Sequence, residues 1–229
     1  MNQDISSTAI KRVTSQPHLT LHAQPTYEKL PVLNCTGGMV SKYLERWYLT
    51  LNHTTQRYSK VFAVRVDLQF PRYYSSIGCQ VLSNESLHVF IKSLKHRLKQ
   101  YSDQRKRSGQ HLYSTDFYYV WAREYGSDSD TPHFHLMLLF NGHAFNTLGR
   151  FSSERESLYN RIGDSWAEAL GMHNAEGVKF IHFPDNCQYL LGSRDQKQLA
   201  QVFYRGSYLT KVATKNFHDG FHVFGGSRI

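Results

Sequence analysis

His133 and His135 flank a single phenylalanine in the run HFHLMLLFN (133–141). If that run is a strand, residues two apart point to the same side of it. Two imidazoles side by side on a sheet can hold one metal ion. The triplet alone is a weak signal, because a chain with 13 histidines in 229 residues yields it about 0.7 times by chance. The strand setting sharpens it. Phe134, Leu136, Leu138 and Phe140 form an apolar set that faces a core, which leaves both histidines on the opposite side. The plainer alternative is a pair of surface histidines. A metal would need further ligands. Glu124 on the preceding strand and Asp67 on an earlier one are the carboxylates that can reach that side. Two imidazoles, a carboxylate and water suit Mg²⁺ or Mn²⁺ in phosphate chemistry. Either carboxylate can instead be half of an ion pair, Glu124 across the strands to Arg65 or another base, and Asp67 as a partner of Arg65 behind the ligands.

A second cluster lies in VFYRGSYLTK (202–211). On a helix Tyr204 and Tyr208 are four residues apart and share a face, and Lys211 lies one turn beyond Tyr208. This spacing of two tyrosines and a lysine is expected only about 0.05 times per chain by chance. Aromatic pairs at that spacing usually pack in cores, yet the surroundings are half polar. A phenol has a pKa near 10 and is a poor nucleophile at neutral pH. A neighbouring ammonium favours the phenolate, and a metal polarising the attacked phosphate lowers the remaining barrier. The combined chemistry is attack of a tyrosine on a phosphodiester, with a sugar hydroxyl leaving.

Those residues need elements to position them. Val40, Tyr43, Leu44, Trp47, Tyr48 and Leu51 recur at helical spacing, which predicts a helix near 39–54. KVFAVRVDLQF (60–70) predicts a strand, apolar at even positions and charged at Arg65 and Asp67, ended by Pro71. Ser83 or Asn84 can cap a long helix running to about 106. Its basic face is either a solvated surface or a phosphate-contacting stripe. Strands at 115–125 and 133–141 are joined through GSDSDTP as a hairpin. A helix starts at Ser152 or Ser153 and stops at Gly171, a short strand covers 178–183, and a helix covers 195–215, with Gly206 a weak point inside it. The tail FHVFGGSRI adds a last strand. The order from 60 to 183 is β-α-β-β-α-β. It predicts an α+β fold with a ferredoxin-like (RRM-like) antiparallel sheet, both helices on one face, the other face open, and a C-terminal tyrosine-bearing helix added. Residues 1–35 are polar and broken by Pro17, Pro25 and Pro31, so they read as a loosely ordered arm, with a single domain from 36 to 229.

Composition narrows the classes. An apolar share of 40% supports a core and excludes wholesale disorder. No apolar run is long enough to span a membrane, and the first residues do not resemble a secretory signal. Three cysteines, Cys35, Cys79 and Cys187, exclude a disulfide scaffold and fit a reducing cytoplasm. Lys+Arg 27 against Asp+Glu 18 leaves a net charge of +9, and 15 Tyr and 14 Phe accompany it. A basic, aromatic-rich chain is suited to nucleic acid. Without a GxxxxGK phosphate loop, no helicase is built in.

The strand VRVDLQFP, then HFHLMLLF, then YRGSYLTK, in that order, resembles the HUH endonucleases. Within them the chain is similar to the two-tyrosine replication initiators of rolling-circle elements. With its closing FGGSR it most resembles the inovirus replication protein family, also called the YagK/YfjJ-type domain of prophages, over roughly residues 40–229. The resemblance implies a metal-dependent nickase that cuts one DNA strand at a replication origin, joins itself to the 5′ phosphate through tyrosine and later rejoins the strand. It implies His133 and His135 as metal ligands with Glu124 third, Tyr204 and Tyr208 as alternating nucleophiles, Tyr208 making the first cut, and Lys211 supporting them. The implied cofactor is Mg²⁺ or Mn²⁺. The implied partners are single-stranded or hairpin origin DNA and a host helicase, in a bacterial cytoplasm. Asp67 and Arg65 then support the ligands or contact DNA, and the basic helix touches its backbone. Two other readings share the pattern: a DNA-binding module that has lost cutting, and an HUH relaxase or transposase.

Overall fold

A computed structural model describes residues 11–76, 82–126, 130–149, 157–192 and 194–229. The chain opens with short strands β1 (Arg12–Val13), β2 (Gln16–His22), β3 (Thr26–Tyr27), β4 (Leu30–Pro31) and β5 (Met39–Val40). Over residues 11–35 these strands stand where a loose arm was expected; residues 1–10 of that arm lie outside the described residues. β1 and β2 form a hairpin, β2 also pairs with β5, and β3 pairs with β4. The cause is a small apolar cluster: Val13 and Leu19 are buried against Val40, with Leu21, Tyr43, Val212 and Phe217 packed around them. Average polarity hides so few apolar residues, and short edge strands tolerate proline.

The remaining elements are α1 (Ser41–Arg57), β6 (Lys60–Gln69), α2 (Asn84–Arg107), β7 (Phe117–Tyr125), β8 (Pro132–Asn141), α3 (Leu158–Ala169), α4 (Asn174–Gly177), β9 (Ile181–His182), β10 (Gln188–Gly192), α5 (Gln196–Ser207) and β11 (Phe224–Gly226). Ser83 caps α2 by accepting from the Glu85 amide. Ser157 stands before the described part of α3; the expected starts Ser152 and Ser153, like residues 127–129 of the hairpin turn and Cys79, lie outside the described residues. Cys35 and Cys187 are free thiols. The strand expected over 178–183 is mostly a 3₁₀ turn, Val178–Phe180, followed by the two residues of β9. β10 has no counterpart in the sequence pattern, because its five residues are too few to show a period. No helix among the described residues is long and apolar enough to cross a membrane.

The main sheet runs β10-β6-β8-β7-β11, with every neighbouring pair antiparallel and β9 also on β6. The protein is thus a mixed α/β structure built on antiparallel sheets. Even residues of β6 and β8, Phe62 to Leu68 and Phe134 to Phe140, form one core with the apolar stripes of α2 and α3. The opposite face was expected to be open, and it is not. Val61, Ala63, Val120, Ala122, Met137 and Leu139 occupy one end of that face, and α1 and α5 cover them with Leu44, Trp47, Leu51, Val202 and Phe203. Uncovered apolar side chains at that end would cost about 25 cal/mol for each Å² left wet. The other end of the same face carries Arg65, Asp67, Glu124, His133 and His135, the polar residues of those strands.

The helix expected over 195–215 stops early. α5 is capped by Asp195 and ends at Ser207; a 3₁₀ turn covers Tyr208–Thr210, and Lys211 is extended. The Ser207 and Thr210 hydroxyls donate to the carbonyls of Tyr204 and Ser207, competing with continued helix. The chain then pairs with the β5 region through the Val212 amide on the Gly38 carbonyl. Gly206 is required by a close approach: a Cβ there would overlap the Trp47 indole, whose N–H donates to the Phe203 carbonyl at 3.0 Å. Gly206→Ala gains about 1 kcal/mol of helix propensity but overpacks this contact, which costs about 1–3 kcal/mol. The variant is expected to be less stable by about 1 kcal/mol in urea unfolding; a more stable variant would mean that Trp47 yields freely.

Candidate functional site

Strand register assembles the site. Asp67 on β6 and Ala122 on β7 stand opposite His135 on β8, while Gln69 and Glu124 stand opposite His133. The two imidazoles therefore lie between two carboxylate-bearing strands. His135 is held from behind: its Nδ1 is 2.7 Å from Asp67 Oδ1, to which Arg65 Nε also donates at 2.8 Å. A ring nitrogen fixed by a carboxylate leaves the other, Nε2, as the free ligand atom. His133 Nε2 and His135 Nε2 approach to 2.9 Å, and Glu124 Oε2 is 3.4 Å from His135 Nε2. Ligand atoms of Glu124, His133 and His135 all fall within 4.8 Å of one another. Two donors about 2.1 Å from one ion and at right angles to each other lie about 3 Å apart, so the nitrogen spacing fits a shared cation. Burial and the neighbouring His135 push His133 down to about 4, so at neutral pH it keeps a lone pair to offer. The Glu/His/His group fits a metal ion, and its donor set leaves the choice of ion open.

The carboxylates are buried and charged. Glu124 is 1% exposed. Burial pushes its carboxyl up, but the His135 hydrogen bond, Lys215 and Thr214 outweigh that and hold it well below the usual carboxylate range. Asp67 behaves alike: burial raises it, and His135 and Arg65 win. Glu124 Oε1 receives Lys215 Nζ at 2.9 Å, and Oε2 receives Lys211 Nζ at 2.9 Å and the Thr214 hydroxyl at 2.6 Å. Lys215 also donates to the Leu209 carbonyl, and burial pushes it down to about 8. Thr214 adopts φ 70°, a left-handed conformation that is costly for a β-branched residue. Its bond to Glu124 accounts for that conformation.

Tyr208 closes the group. Its ring centroid is 5.7 Å from that of His135, edge to face. Lys211 Nζ sits 3.7 Å from the ring centroid and Arg65 Cζ 5.1 Å. Tyr208 is half-buried. Arg65 is 4% exposed and turned to Asp67 and Tyr208, so it is not presented to solvent, where a DNA backbone would meet it. Tyr204 is placed differently. It is 43% exposed and lines a shallow groove with Gln188, Tyr189 and Lys197. Among the described residues no contact joins it to the histidines. The fold thus gathers His133, His135, Glu124, Asp67, Arg65, Tyr208 and Lys211, and leaves Tyr204 at the rim.

Three participants were missed in the sequence. Thr214 and Lys215 fell at the end of the helix expected over 195–215, where no motif marked them. His182, whose Nδ1 is 3.8 Å from Asp67 Oδ2, had no motif to mark it.

A family model, the YagK/YfjJ C-terminal domain, matches residues 22–227. The chain belongs to this family. YagK of Escherichia coli (strain K12) is 30% identical over 201 residues, covering 84% of this chain and 95% of YagK. YfjJ of the same strain is 31% identical over 202 residues, covering 84% of this chain and 96% of YfjJ. Both carry names that assign no activity. No solved structure matches the chain significantly. What a YagK/YfjJ domain does must therefore be argued from this site.

Removing one partner of a buried ion pair costs about 3–5 kcal/mol. Lys215→Met is expected near the lower figure, since Glu124 keeps Lys211 and Thr214; urea unfolding at pH 7 measures it, and a loss under about 1 kcal/mol would place the Lys215–Glu124 pair among weak surface contacts. Acid should also unfold the protein through Asp67 and Glu124. Their carboxyls are held low in the folded state, so their stabilisation is complete above the ordinary carboxylate pKa of about 4 and is lost as pH falls below it. Asp67→Asn should be less stable at pH 7 and lose less stability between pH 5 and pH 2; an unchanged acid limb would contradict the assignment.

Proposed function

We infer that this YagK/YfjJ domain is a metal-dependent DNA nicking-and-joining enzyme of the HUH type, acting through a phosphotyrosine bond. The observation that carries the reading is the Tyr208 ring lying against His135, within one cluster that also holds His133, Glu124 and Lys211. A nucleophile, a ligand set and a cation meet where a phosphodiester could bridge them, and few reactions other than phosphoryl transfer need all three. The strand order, with β6 and β8 central and α2 and α3 on one face, supports a ferredoxin-like core beneath the site.

The reaction is a transesterification. The Tyr208 oxygen forms a bond to phosphorus, the bond from phosphorus to the 3′ oxygen breaks, and the proton given up by the phenol ends on that 3′ oxygen. The strand is left with a free 3′ hydroxyl and a 5′ phosphate on tyrosine. The reverse attack rejoins it, so cutting and closing need one site. His133, His135 and Glu124 would hold Mg²⁺ or Mn²⁺, which supplies charge to polarise the phosphate when bound. Asp67 fixes the His135 ring, and Arg65 fixes Asp67. Lys211 and Arg65 set positive charge against the Tyr208 ring, whose oxygen gives up its proton in the attack. Tyr208 makes the first cut. Tyr204, exposed at the rim, is the second nucleophile, and reaching the cluster would require that end of α5 to shift. Replication of a prophage-like or filamentous-phage element in a bacterial cytoplasm, with a host helicase unwinding the duplex, is the setting that suits this chemistry. One observation favours a second reading, a DNA-binding module without cutting: Lys211 Nζ lies on Glu124 Oε2, where it can stand in for an ion.

The test uses single-stranded oligonucleotides carrying candidate origin sequences from DNA flanking the gene, with Mn²⁺ or Mg²⁺. Wild type is expected to form a covalent protein–DNA adduct stable in denaturing gels, Tyr208→Phe to form at least a hundredfold less, and His133→Ala/His135→Ala none. Calorimetry should show Mn²⁺ binding that the histidine variant loses. Mn²⁺ binding with cleavage but no adduct would indicate a hydrolytic nuclease. DNA binding without Mn²⁺ binding or cleavage would favour the silent module.

A further inference from the structure

A groove on the α2 side of the sheet takes no part in the chemistry above. It has a volume of 1130 Å³ and runs between α2 and the sheet edge formed by β7 and β11. Trp121 in its floor packs with the α2–α3 core, whereas Glu124 on the same strand points to the histidines. Odd and even strand residues face opposite sides, so the groove lies across the sheet from the candidate metal site.

Its walls combine two chemistries. Phe117 and Trp121 give an apolar floor. Lys95 and Lys99, one turn apart on α2, and Arg228 from the C-terminal segment give an exposed basic rim. Among the described residues no carboxylate pairs with these three cations. The acidic residue on the wall, Asp116, already has Arg57 at 3.5 Å. At Ser102 and Thr115 the groove meets a second hollow of 250 Å³ containing Arg105 and Tyr113. The Tyr113 ring is 44% exposed, stacks on His143 at 5.1 Å and meets the His111 ring edge-on at 4.5 Å, so two neighbours hold it in place while much of it still faces solvent. From His88 to Ser102 the helix rises about 21 Å, long enough to run beside several successive phosphates of one strand.

We propose that this continuous groove binds a single strand of nucleic acid, with phosphates on Lys95, Lys99 and Arg228 and an unpaired base stacked on Tyr113. Free cations spaced along a helix match a phosphate backbone, and an exposed, backed aromatic ring offers a platform that only an unpaired base can use. The surface would hold a length of strand away from the scissile bond. Its biological sense rests on the DNA-processing reading, but binding here requires neither the metal nor Tyr208.

Fluorescence anisotropy with a fluorescein-labelled 20-nucleotide oligothymidylate, on the full chain in EDTA, tests it. Lys95→Ala/Lys99→Ala is expected to weaken binding at least fivefold and to reduce the slope of log affinity against log salt by about 1.4, at about 0.7 for each phosphate left without its lysine. Tyr113→Ala should weaken binding at least fivefold with the slope unchanged. These side chains are exposed, so unfolding midpoints of the variants should match wild type. Unchanged affinity in folded variants would overturn the proposal, as would failure of wild type to bind, or a 20-base-pair duplex binding more tightly through the same residues. Adduct formation with Mn²⁺, measured in parallel, separates the two readings. Adduct without groove-dependent binding removes only the groove, and groove-dependent binding without adduct removes only the nicking chemistry.

Discussion

The pairing register of β6, β8 and β7 is the constraint on which the site depends. Asp67 opposite His135 and Glu124 opposite His133 follow from antiparallel ladders that run unbroken through these positions. A slip of one residue would carry every side chain of a strand to the other face, sending the imidazoles into the core and Phe134 and Leu136 into their place. The even-numbered core of β6 and β8 forbids that slip, because its side chains are fully buried against α2 and α3. Hydrophobic packing on one face thereby fixes the geometry of charged groups on the other.

The second determinant is electrostatic. Two carboxylates are taken out of water, and that is tolerated only because Arg65, Lys211, Lys215 and Thr214 converge on them. Three of those four partners lie within five residues of one another, after α5 has ended. The early end of the helix is therefore part of the site. Lys211, Thr214 and Lys215 would share one face of a continued helix too, but here the 3₁₀ turn and the extended Lys211 after α5 bring them to Glu124.

Much of this was legible in the sequence, and the remainder was hidden for definite reasons. The alternation in KVFAVRVDLQF and HFHLMLLFN identified the strands and put Asp67, His133 and His135 on one face, because a period of two is hard to mistake over ten residues. Glu124 followed from hairpin pairing. The meeting of Tyr208 and Lys211 was correct in outcome but not in form, since the contact comes from a 3₁₀ turn and an extended residue, not from a continued helix. Covering of the supposedly open face was overlooked, although Val61, Ala63, Met137 and Leu139 gave the reason for it: half of that face is as apolar as the core. Strand order over residues 11–35 could not be read, because its stabilising contacts, Val13 and Leu19 clustered with Val40 and Leu21 paired opposite Val40, join segments far apart in the chain.

Gathering a ring, two ammonium groups and a hydroxyl around one carboxylate from so short a stretch has a consequence for recognising kindred chains. The intervals from Tyr208 to Lys211, Thr214 and Lys215 cannot be lengthened without pulling a donor off Glu124. A tyrosine followed by lysine at +3, threonine at +6 and lysine at +7, downstream of a glutamate and an HxH strand, is thus a stricter fingerprint of this architecture than paired tyrosines. It can be sought in chains whose overall identity to this one has decayed beyond detection.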